Sequence, residues 1–152
     1  MLERVSADRQ AATARAVEPI VAWCEHGGDL DDLRRAVAHG MERYMAFLLE
    51  RPAFPRFIAW EELAGAARLR AARRSSTALE DAFGALAKAG RARGLRRFDV
   101  GDAVLLWIGT TYAPLANRST LLAALGRDLT VARTRKRHLA FAVDQMMHLL
   151  AG

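Results

Sequence analysis

Apolar residues recur along this chain at steps of three and four and nowhere in strict alternation, so each patterned segment predicts a helix and none a strand. The first helix covers residues 2–24, with Leu2, Val5, Ala12, Ala16 and Ile20 on one side and Val17, Val21 and Cys24 beside them. Pro19 is expected to bend it and Gly27-Gly28 to end it. A second helix begins at Asp29 or Asp31 and stops before Pro52, on a stripe of Leu30, Leu33, Val37, Met41, Tyr44 and Leu48. The third is aromatic, with Phe54, Phe57 and Ile58 on one face. Thr77 and Glu80 have the spacing of a capping box for a fourth, whose inner line is Leu79, Phe83, Leu86 and Gly90 and which closes near Gly94. The last runs from Thr130 to Leu150, with Leu139, Val143, Met146 and Leu150 on one line.

Between these lies the stretch Asp99 to Arg118, apolar on two sides. Val100, Val104, Trp107, Thr111 and Leu115 make one stripe, and Leu105, Tyr112 and Ala116 a second. Asp99 and Asp102 mark its start. Gly109, Thr110, Thr111 and Pro114 interrupt it too often for a bilayer span, which needs about 18 or more apolar residues. Both stripes therefore need protein cover, one from the chain's own core and the other from the same helix of a second copy. Pro114 predicts a kink or an early end.

The expected architecture is an all-α bundle of about six helices, one domain over residues 1–152, as 52% hydrophobic content allows. Met1 is followed by Glu3, Arg4 and Asp8, unlike a signal peptide, and the lone Cys24 fits a reducing cytoplasm. Net charge is +6, and the excess lies between Arg68 and Arg97, where nine basic residues face only Glu80 and Asp81. No aromatic residue stands among the arginines at 68–74 or 91–97 for base stacking, so a solvated basic face is the expectation rather than a nucleic-acid surface.

Chemistry-bearing residues are few. Glu61 falls four after Phe57 and three after Ile58, in the middle of an apolar face, and needs either an internal arginine or a ligand. Asp144 and His148 share a helix face but lack a third metal ligand, and His39 reads as a solvated or half-buried histidine. There is no nucleophile elbow, phosphate-binding glycine loop, cysteine pair or zinc helix, and no acid, base and nucleophile set converges. Neither an enzyme nor a cofactor is expected.

Two stretches carry a resemblance. YMAFLLERPAFPRFIAWEEL joins a helix end, a proline and an aromatic helix with Glu61, and ALAKAGRARGLRRFDVGDAVLLWIGTTYAPLA closes a helix on glycine before Asp99 opens the long apolar one. In order and spacing the chain resembles the ligand-binding and dimerisation domain of the TetR family, the tetracycline-repressor family of transcriptional regulators. The resemblance implies a repressor relieved by a small-molecule effector, with operator DNA read only through a helix-turn-helix head that is not among these residues. It implies a homodimer in which the last two long helices form a four-helix interface, through Leu105, Tyr112, Ala116, Leu139, Val143, Met146 and Leu150. It also implies a pocket lined by Met41, Tyr44, Phe57, Glu61, Phe83, Trp107 and Thr111. The alternative is a head-less helical module that only pairs, and a sealed interior would favour it.

Overall fold

Two aspartates decide where the longest inner helices begin. Asp29 caps a helix at Leu30–Glu50, its carboxylate accepting from the Asp32 backbone at 2.8 Å while the Asp32 side chain accepts from the Asp29 backbone at 3.0 Å. Asp99 does the same for Val100–Ala116, accepting from the Asp102 backbone at 3.0 Å. The computed structural model describes residues 2–65 and 78–152, the side chains of residues 2, 3, 5, 6, 61 and 62 excepted. Its α-helices are α1 (Leu2–His26), α2 (Leu30–Glu50), α3 (Ala53–Leu63), α4 (Ala78–Ala89), α5 (Val100–Ala116) and α6 (Ala132–Ala151), with no strand among the described residues. The expected all-α bundle is therefore what forms. Arg68, Arg70, Arg73, Arg74 and Thr77, the first half of the basic window and its cap, lie outside the described residues.

α1 and α2 fold back on each other through Gly27 and Gly28, and α1 also packs on α4. α2 touches α5 and α6, and α5 runs through the middle against α3, α4 and α6. Ile20, Leu33, Val37, Met41, Met45, Phe83, Leu86, Trp107, Met146 and Leu150 form one continuous core. Gly40 lets the first two helices approach, since a Cβ there would stand 2.3 Å from the Ala16 carbonyl oxygen and 3.0 Å from the Trp107 ring.

Neither interior proline ends its helix. A proline at position i leaves the carbonyl at i−4 without its backbone donor, and in both cases a facing helix supplies one. Pro19 frees the Arg15 carbonyl, which accepts from the Arg43 guanidinium of α2 at 3.2 Å. Pro114 frees the Thr110 carbonyl, which accepts from His138 Nε2 of α6 at 2.6 Å, and α5 continues to Ala116.

Two arginines of the basic window act on helix ends, where unpaired carbonyls and the macrodipole favour a cation. Arg93 donates to the Trp23 and Cys24 carbonyls at 2.7 and 3.1 Å and lies over the Trp23 ring at 5.2 Å, closing α1. Arg96 donates from Nε to the Leu149 carbonyl at 3.0 Å, and from its backbone to Leu150 at 2.9 Å, closing α6. No described helix is long and apolar enough to cross a membrane.

Candidate ligand cleft and outer face

Where α1, α2, α4 and α5 meet, the aromatic rings gather. Trp107 lies 6.4 Å from Tyr44 and 6.1 Å from Phe83, centroid to centroid, and Phe47 lies 6.5 Å from Tyr44. Met41, Phe83, Trp107 and Thr111, four of the residues expected to line a pocket, are sealed in this packing. Thr111 satisfies its hydroxyl locally, donating to the Trp107 carbonyl at 2.6 Å. The Trp107 indole N–H is different, because it is buried with no acceptor among the described residues. A buried donor without a partner costs about 1–3 kcal/mol, so this one is a point of stored instability beside the aromatic cluster.

An open cleft of about 500 Å³ adjoins the cluster, in the size range of small-molecule sites. α1 contributes Arg9 and Thr13, α2 Tyr44, α4 Leu79 and Glu80, and α5 Val104 and Ile108. Of the expected pocket residues Tyr44 is here, while Met41, Phe83, Trp107 and Thr111 are not among the lining residues. Phe57 is half-buried on α3 and also takes no part in this cleft. Glu61 belongs to α3, with its side chain outside the described residues. Burial pushes the Tyr44 phenol up from its ordinary pKa, and the nearby Arg9 charge works in the opposite sense.

Sequence reading missed Arg9, although the signal is the one that singled out Glu61. Arg9 falls four residues after Val5 and three before Ala12, on the apolar line of α1. Val104 was legible as a stripe residue but not as a cleft wall. Asp144, considered with His148 as a metal pair, instead makes an ion pair with Arg34 across α2 and α6. Among the described residues no three metal-ligating side chains come together.

α5 and α6 each also leave a large apolar side chain open to solvent. Leu105 is 68% exposed and Phe141 55%. Tyr112 and Ala116 are half-buried, and the Tyr112 hydroxyl reaches the Pro55 carbonyl of α3 at 3.5 Å. Leu139 is half-buried as well. Val143, Met146 and Leu150, expected to face a second copy, turn inward and are covered by their own subunit, the last two completely. The outward line of α6 carries Phe141, one turn from His138, and that residue was not singled out in the sequence.

A family model described as "Tetracyclin repressor-like, C-terminal domain" matches residues 34–146. No curated protein and no solved structure matches the chain.

Proposed function

Because the chain belongs to the tetracyclin repressor-like C-terminal domain family, we propose that it is the sensing and pairing part of a transcriptional repressor, taking a small molecule into the cleft between α1, α2, α4 and α5. The observation that carries this reading is the cleft itself, about 500 Å³ with apolar walls from Leu79, Val104 and Ile108 and a small number of polar groups. That mixture is what small-molecule sites use, apolar area for affinity and a few fixed polar atoms for orientation. Pairing runs through α5 and α6, where Leu105 and Phe141 leave apolar surface that one subunit does not cover. In a regulator of this kind the output is repression that the ligand relieves.

A second reading, a module that pairs and binds nothing, draws support from the sealed state of Met41, Phe83, Trp107 and Thr111. The two separate in a ligand-observed NMR screen of a mixed fragment library against the wild-type chain and Thr13→Trp, whose indole would fill the cleft. Sensing predicts fragments that bind the wild type and are lost from the variant while its circular dichroism is unchanged. Fragments that bind both proteins alike, or none that bind either, would sink it in favour of the pairing module.

A further inference from the structure

Hydrogen-bonding capacity around the cleft is lopsided toward donors. The Arg9 guanidinium offers five donors and no acceptor. It is half-buried, and among the described residues it makes no ion pair, those found there using Arg34, Arg35, Arg43 and Arg51. The Tyr44 hydroxyl borders the same space, with burial and the Arg9 charge as the influences on it and no hydrogen bond among the described residues. Thr13 has committed its hydroxyl hydrogen to the Arg9 carbonyl at 2.8 Å.

The acidic group of the cleft is Glu80, which is exposed at the rim. A charge in water is heavily screened, whereas a half-buried cation acts through a lower effective dielectric. The sign that a ligand meets inside is therefore set by Arg9 rather than by Glu80. A guanidinium fork also matches a carboxylate in shape, with two parallel N–H donors for two oxygens.

We propose that the cleft takes a small amphipathic carboxylate, its anionic group held by the Arg9 guanidinium and the Tyr44 hydroxyl and its apolar body lying along Leu79, Val104 and Ile108. This rests on the reading of the cleft as the sensing site and adds the chemical class of what is sensed. A cationic ligand is the opposite outcome.

The test uses three probes of one shape, naphthoate, naphthylmethanol and naphthylmethylammonium, titrated calorimetrically into the full chain. Naphthoate should bind most tightly and the ammonium least. Arg9→Gln should weaken naphthoate about 10- to 100-fold, the range of a charge-assisted hydrogen bond, and leave naphthylmethanol unchanged. The unaltered alcohol also shows that the variant retains its cleft. Glu80→Gln should leave naphthoate binding equal or slightly stronger. Binding in which the ammonium or the alcohol equals naphthoate, or in which Arg9→Gln has no effect, overturns the carboxylate assignment and leaves the cleft a ligand site. No binding of any of the three overturns both.

Discussion

α2 and α5 are both apolar helices near the centre of the bundle, and they meet different fates. Leu33, Val37, Met41, Met45 and Leu48 of α2 are buried in the common core, with α1, α5 and α6 packed against the helix. In α5 the inner stripe of Ala103, Trp107, Thr111 and Leu115 is covered in the same way. Elsewhere on α5 Leu105 is left in solvent, as Phe141 is on α6. Burying a leucine or phenylalanine fully is worth about 1.5–3 kcal/mol, so the first helix has gained its stabilisation within the subunit and the second has part of it still to gain. Periodicity identifies faces but does not say which chain covers them.

The contrast can be broken at its covered end first. Phe83→Ala removes a fully buried ring that packs edge-on to Trp107, and should cost about 3–5 kcal/mol in urea unfolding. A loss below about 1 kcal/mol would mean that the aromatic cluster is loosely packed. Gly40→Ala is a sharper probe of the same region, because alanine favours a helix over glycine by about 1 kcal/mol. Here a Cβ would meet a backbone carbonyl, so the variant should instead be destabilised by about 1–3 kcal/mol, and an increase in stability would contradict the close approach of α1 and α2. The uncovered end should behave oppositely. Leu105→Glu should alter the stability of the isolated subunit by no more than about 0.5 kcal/mol. In sedimentation equilibrium, however, the wild type should run as a dimer and the variant as a monomer, with Phe141→Glu acting in the same direction. A wild-type monomer at micromolar concentration would remove the pairing.

The helices were legible because each carries its own local signals. Asp29 and Asp99 cap where their side chains suggested, and Ala12, Ala16 and Ile20 of α1, Leu33, Val37, Met41 and Leu48 of α2, and Phe83 and Leu86 of α4 face inward as their spacing required, whereas Leu30 at the start of the α2 stripe is 36% exposed. What escaped was relational. α6 has apolar residues on neighbouring lines, and Val143, Met146 and Leu150, expected to face a second copy, are covered by their own subunit while Phe141 is exposed. The site was less legible still. Met41, Phe83 and Trp107 are large and inward-facing, which describes a pocket wall and a packed core equally well, and the structure packs them. Arg9 could have been found by asking which charged residues fall on an apolar line, the test that was applied to Glu61. In the described part of the basic window Lys88, Arg91, Arg96 and Arg97 are exposed, as a solvated face requires, and Arg93 and Arg96 in addition close α1 and α6.

The two interior prolines have an implication for how this sequence can change over time. Each creates a vacant carbonyl in its own helix and each vacancy is filled from another, Arg15 by Arg43 and Thr110 by His138. A chain that lost Pro114 would regain a backbone donor and have two donors competing for one oxygen, while a chain that lost His138 first would strand that oxygen. Substitution at one position thus alters what is tolerated at the other, 24 positions away in the case of Pro114 and His138 and likewise 24 for Pro19 and Arg43. Among descendants of this sequence, proline and its donor should be inherited as couples, and a proline drifting without its partner should be rare.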